Sequence, residues 1–197
     1  MTAKIKKTVF WRIHYNSPVI LTYAFLSLVV LGLSLMTNGI TDKLLFSVYS
    51  CSWLDPFGYI RLIGHTLGHI NFEHYMGNFL LMMLIGPMLE EKYGSKRLFV
   101  MLVVTAVITG LVYRVFAPVG VAVLGASGTV FMLIVLSSFV NEQPGRLPLT
   151  LLFAVAFYLG TEFVYSATGA QPGVANIMHL LGGICGLIFG FVVRKNE

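Results

Sequence analysis

Apolar residues occupy long blocks of this chain, at roughly 19–37, 72–89, 98–116, 127–140, 148–167 and 175–193, with short polar clusters between them. A helix crossing a bilayer takes roughly 20 consecutive apolar residues. The blocks therefore predict six helical spans, of which the fourth is too short to cross unaided. The stretch before it, Ala117–Ala126, is apolar but carries Pro118, Gly120 and Gly125. Non-helical backbone at membrane depth is tolerated only where it is buried in protein or lines a wet cavity. The pattern thus predicts a loop that dips inward and a short helix that starts near mid-membrane, with Ser127 at its N-terminus. The expected fold is an all-α membrane bundle.

Composition agrees with this reading. Of 197 residues, 57% are hydrophobic and 11% charged, with a mean hydropathy of +0.84, whereas soluble domains are about 25% charged. We expect one membrane domain over residues 1–197. The net charge of +5 collects at the ends of the apolar blocks: Lys4, Lys6, Lys7 and Arg12, then Lys92, Lys96 and Arg97, then Arg194 and Lys195. That distribution sets topology and argues against a nucleic-acid partner. With an even number of spans, both termini lie in the cytoplasm, 1–18 is a cytoplasmic tail, and 38–71 is an external loop. Trp53, Phe57 and Tyr59 in that loop suit the membrane interface. The basic N-terminus before Val19–Met36 has some features of a secretory signal. Its apolar run is long for one and no small-residue cleavage site follows, so we expect an uncleaved first span. Cys51 and Cys185 lack metal-like spacing and are expected to be free thiols.

The chemistry lies in a few polar residues within the apolar blocks. In the second, HINFEHYMGN supplies His69, His74 and Asn78. His74 and Asn78 are four apart and share a helix face, from which their donors can stabilise a negative oxygen. His69 is expected at the helix start, in a structural or rim role. Gly125-Ala126-Ser127-Gly128 opens the fourth block, where the positive helix end would meet a developing oxyanion. In the sixth, His179 is followed by Gly182, Gly183, Gly186 and Gly190 on one face, which lets a neighbouring helix approach closely. Serine and histidine together inside a membrane point to hydrolysis by a serine nucleophile. Metal binding is the chemical rival, but no HExxH pattern or carboxylate accompanies the histidines. Neither metal nor cofactor is expected. Glu162, near the outer end of the fifth block, is expected to reach water.

The ordered set His69–x4–His74–x3–Asn78, Gly125-Ala126-Ser127-Gly128 and His179–x2–Gly182–x3–Gly186 resembles the rhomboid family of intramembrane serine proteases, over about residues 59–193. Leu89-Glu90-Glu91-Lys92-Tyr93-Gly94-Ser95 is similar to the family's end of helix two, and the length resembles its compact six-span bacterial form. The resemblance implies a dyad without an acid, with Ser127 as nucleophile and His179 as base. It also implies an oxyanion site from His74, Asn78 and the Ser127 amide. Phe131 stands where the family usually has a tyrosine packed on the histidine. Ile60-Arg61 stands where it has Trp-Arg in the first loop. The implied partners are transmembrane protein substrates and the lipid bilayer, the implied location is a bacterial inner membrane, and the fifth helix with Ala167–Gly173 is the expected gate. Two other readings are a catalytically inactive relative that binds transmembrane helices and a small transporter. The latter is disfavoured because no inverted repeat is visible.

Overall fold

The computed structural model describes residues 14–140, 146–168 and 174–195, except for some side chains of the last two helices. Glu162's side chain and residues 169–173 of the expected gate lie outside the described residues, as does the tail before residue 14. The described residues form helices α1 (Pro18–Met36), α2 (Pro56–Gly64), α3 (Phe72–Tyr93), α4 (Ser95–Phe116), α5 (Ser127–Ser137), α6 (Leu149–Thr168) and α7 (Val174–Lys195). A short π-helical turn covers Asp42–Phe46. Among the described residues the only extended pairing is a single bridge, Val48 with Val123. The chain is all-helical, as the blocks predict. Two helices differ in extent from their apolar blocks, the first of them as the Gly94 cap after Tyr93 leads one to expect. The second block runs on through Glu90 and Glu91 to Tyr93, where Gly94 at φ 81° ends the helix. The fourth stops at Ser137 rather than 140.

α1 begins at Pro18, whose missing amide costs nothing at a helix start. The next two amides have no cap of their own. Val19 and Ile20 donate to the two carboxyl oxygens of Glu90, at the far end of α3, at 3.0 and 3.1 Å. Glu90 is thus a long-range cap that fixes α1 on α3 at one end of the bundle. One turn lower, Gly86 makes room for Ile20: a Cβ there would lie 2.7 Å from Ile20 Cδ1. Ile20, Ala24, Ser27, Leu31 and Ser34 form the buried seam of α1. The core continues through Met82, Leu89, Leu98, Met132 and Leu133. Removing buried acceptors strands their donors at about 1–3 kcal/mol each. Glu90→Ala should therefore lower stability by about 2 kcal/mol or more, read as a lower unfolding midpoint in detergent. An unchanged midpoint would refute the capping role.

The segment expected as an external loop is largely structured. Asp55 caps α2 by accepting from the Phe57 amide at 3.0 Å, and Pro56 occupies the first helical position. Its other oxygen pairs with Arg61 at 2.7 Å, and that hydrogen bond is the main cause holding the Asp55 carboxyl below its ordinary range. Arg61 also donates to the Leu44 carbonyl at 2.9 Å and lies 4.5 Å from the Tyr49 ring centre. Arg114, at the end of α4, sits 4.3 Å from the Trp53 ring and 4.9 Å from Tyr59, and donates to the Ser52 carbonyl at 2.7 Å. Where sequence offers Ile60-Arg61, Ile60 points outward, 51% exposed. The aromatic anchor comes instead from Trp53 and Tyr59 around Arg114. Cys51 and Cys185 are both free.

Candidate active site

The loop 117–126 is brought in from α4 by two attachments. Val48 and Val123 exchange backbone hydrogen bonds of 2.8 and 2.9 Å, and the Gly125 amide donates to the His65 carbonyl at 2.8 Å. Gly125 has φ 138°, a conformation that side chains rarely adopt. It delivers the chain to Ala126, fully buried, and then to Ser127, half-buried at the first position of α5. α5 has 11 residues, about 16 Å of helix against a hydrocarbon core of about 30 Å. Its N-terminus has no side-chain cap. Its first amides therefore remain donors, at the positive end of the helix dipole.

α5 packs chiefly on α7, and glycines set the distance. A Cβ on Gly128 would lie 3.2 Å from the Met178 carbonyl oxygen, and one on Gly182 would collide with the Gly128 carbonyl. The two backbones therefore touch at Gly128 and at residues 178–182. Ser127 and His179 each adjoin that contact in sequence. Phe131, one turn beyond Ser127, stacks on the His179 ring with centroids 5.0 Å apart and planes 13° apart. Gly186 and Gly190 continue the approach against Met132 and Val135, and against Phe139. Gly183 stands at the edge of the stripe, since a Cβ there would make only an ordinary 3.7 Å contact with Val135.

His74 approaches from α3. A Cβ on Gly125 would be 2.8 Å from His74 Cε1 and 3.0 Å from Nε2, so glycine at 125 is what lets the imidazole lie against the loop entering Ser127. The His74 Nδ1 is buried without a hydrogen-bond partner among the described residues. Asn78, buried one turn on, donates from Nδ2 to the His74 carbonyl at 2.9 Å and keeps a second amide hydrogen on the same nitrogen. Asn71 caps α3 by accepting from the His74 amide at 2.8 Å, which fixes where this face begins.

His69 is not at the rim. It precedes α3, is fully buried, and contacts His74, Tyr75 and Phe79 edge-on or tilted at 5.1, 5.6 and 5.5 Å. Its Nε2 accepts from the Ala126 amide at 3.4 Å and its Nδ1 faces the Leu67 carbonyl at 3.1 Å. That network assigns the proton to Nδ1. The helix starts only after Asn71, so the expected helix-start position is a buried loop position that ties down the turn before Ser127. An apolar cavity of about 100 Å³ lies between α5, α6 and α7, reaching from Ala154 and Val155 to the ring of His179. Among the described residues no group of histidine, cysteine or carboxylate side chains is placed to hold a metal.

The sequence has relatives among known proteins. The family model of the Rhomboid domain matches residues 56–196, from α2 to the end of α7. The chain belongs to the rhomboid family. It is similar to the rhomboid protease GlpG of Haemophilus influenzae, 31% identical over 143 residues that cover 70% of this chain and 72% of that one. The rhomboid protease GlpG of Serratia proteamaculans is 30% identical over 152 residues, covering 73% of this chain and 53% of that protein. RHOMBOID-like protein 1 of Arabidopsis thaliana is 28% identical over 152 residues, 74% of this chain and 33% of that one. Rhomboids are integral membrane proteins.

Sequence reading missed two parts of this rhomboid's site. His65, 1% exposed, links the Arg61 carbonyl at 3.0 Å to the Thr109 hydroxyl at 3.5 Å, and its own carbonyl receives Gly125. Its signal in the sequence was its place four residues before His69. Thr129 donates to the Ala126 carbonyl at 2.6 Å and lies 3.4 Å from the Tyr23 hydroxyl. Nothing in sequence pairs residue 23 with residue 129.

Proposed function

We propose that this rhomboid is an intramembrane serine endopeptidase, hydrolysing a peptide bond in or near the outer end of transmembrane helices of membrane-protein substrates. The observation that carries the reading is the backbone contact between α5 and α7 at Gly128 and Gly182, with Ser127 and His179 as its neighbours and Phe131 stacked on the histidine. Ser127 Oγ attacks the scissile carbonyl as His179 takes its proton. The tetrahedral oxygen receives the donors of His74, Asn78 and the Ser127 amide. His179 then protonates the leaving amine, and water hydrolyses the acyl-enzyme. No acid orients the histidine in this scheme; the flat Phe131 contact does so, with Gly125, Gly128, Gly182 and Gly186 keeping the elements close enough and His69 fixing the loop. The substrate helix must unwind to present its backbone. The cavity beside α6 supports entry on that side. In this reading α1 and α3–α7 are six spans of a bacterial inner-membrane protein, both termini are cytoplasmic, and 38–71 is external.

A fluorophosphonate probe tests the nucleophile. Wild-type protein in detergent should be labelled and Ser127→Ala should not. Labelling that persists in Ser127→Ala refutes the assignment. A folded wild type that resists the probe points to an inactive relative that binds transmembrane helices. The oxyanion donors make a separate prediction. Loss of one such donor costs about 10²–10³ in turnover, so His74→Ala and Asn78→Ala should each lower kcat by that order while their unfolding midpoints stay near wild type. Wild-type rates in both would remove these residues from the mechanism.

A further inference from the structure

A second cavity, of about 550 Å³, lies between α1, α4, the end of α2 and the chain that follows it. Val19, Tyr23 and Leu26 form one wall, Phe99 and Val103 the other, and Thr66 meets them at the inner end. Its size falls within the about 300–1,000 Å³ of small-molecule sites, and its walls are almost wholly apolar. It is not sealed, since Leu26 and Phe99 are 46% and 57% exposed.

Charge at one end says what fills it. α1 starts beside the end of α3, because Glu90 receives the amides of Val19 and Ile20, and α4 starts directly after α3. The end of the groove at Val19 and Phe99 therefore lies beside the α3–α4 turn. Lys96, in the first turn of α4, is three residues before Phe99 and seven before Val103, so it stands on the groove face of that helix. Lys96 and Arg97 are both exposed. The carboxyl groups at this end are Glu91, exposed on α3, and Glu90, engaged with α1. The groove thus runs from a cation, Lys96, at this end into apolar depth. It is matched by a molecule with an anionic head and a hydrocarbon tail.

We infer that this groove is a binding site for a phospholipid of net negative charge, drawn from the leaflet on the side where α1 begins. The headgroup phosphate sits against Lys96, and one acyl chain lies between α1 and α4 along Phe99 and Val103. The tail ends at Tyr23. The Tyr23 hydroxyl donates to the Thr66 carbonyl at 3.0 Å and lies beside Thr129, which bonds Ala126 just ahead of Ser127. An occupied groove therefore braces the residues that support α5 from behind. The inference needs only that the chain resides in a bilayer and does not depend on its being a protease.

Native mass spectrometry of the full chain in detergent tests it with phosphatidylglycerol and phosphatidylcholine of identical acyl chains. Wild type should retain one phosphatidylglycerol at a concentration about 5- to 10-fold below that needed for phosphatidylcholine. Lys96→Gln changes only a surface residue and should erase that preference. Val103→Trp, which fills the groove, should lower retention of both lipids, and glycerol phosphate without acyl chains should not compete. Equal retention of the two lipids by wild type overturns the inference. So does undiminished retention by Val103→Trp, including the case where that variant instead raises KM for a transmembrane substrate, because the groove would then hold protein.

Discussion

Replacing His179 with alanine should lower the cleavage rate of a transmembrane substrate by at least about 10⁴-fold, and Ser127→Ala should fall to the same floor. Nucleophile and base act as one unit, so the double variant should lose nothing more. A serine hydroxyl is a poor nucleophile unless a base takes its proton. Among the described residues, the side chain adjoining the α5–α7 contact that can do so is His179. The same logic grades its neighbour. Phe131 touches the imidazole only by stacking at 5.0 Å, so Phe131→Ala should leave the chemistry possible but the base poorly aimed. A loss of about 10- to 100-fold in kcat, with KM little changed, is expected, since a misplacement of about 1 Å costs on the order of 10²-fold. Phe131→Tyr, which keeps the ring, should retain wild-type kcat. Steady-state cleavage in detergent or liposomes reads all of these. Residual activity in His179→Ala within 10-fold of wild type would remove the histidine from the base role.

The long helices and most residues of the candidate site were legible in sequence for one reason: membrane burial makes polar residues expensive, so each one in an apolar block carries information. Ser127, His179, His74 and Asn78 stood out against such blocks. The short α5 was legible as well, because its apolar block is visibly too brief and is preceded by Pro118 and Gly120. What sequence did not carry was pairing over long range. The cap on α1 is supplied by Glu90, which reads locally as an ordinary acid at a helix end. Arg114 reads as a basic residue near a span end. Only the fold brings it between Trp53 and Tyr59. His69 was misplaced because sequence does not show that Asn71, rather than an earlier residue, caps α3. Segment 38–71 hid α2 because nine residues, interrupted by Arg61, are too few to form the block that marks a span.

The glycine stripe gives the sharpest separation between packing and accident. Gly182→Ala should reduce turnover by more than about 100-fold and lower the unfolding midpoint, whereas Gly183→Ala should keep wild-type turnover with an equal or higher midpoint. The two glycines are adjacent and equally apolar, and alanine is the better helix former by about 1 kcal/mol. Propensity alone therefore predicts that both changes stabilise. Space predicts otherwise at 182. At 183 the new methyl meets Val135 at an ordinary 3.7 Å, and at 182 it overlaps the backbone carbonyl of Gly128. That carbonyl belongs to a helix turn and cannot swing aside as a side chain would, so α5 and α7 must part. Forcing extra methyl groups into close packing costs about 1–3 kcal/mol, which exceeds the propensity gain. The functional loss should be larger than the stability loss, because the contact being opened is the one adjoining both Ser127 and His179. Gly186→Ala should fall between the two in activity. Its Cβ would be 2.5 Å from the Met132 carbonyl and 2.9 Å from Val135 Cβ, as tight as at 182 in kind but two turns from the histidine. If Gly182→Ala turned over substrate at the wild-type rate, the close approach of α5 and α7 would have no part in setting the geometry of the dyad.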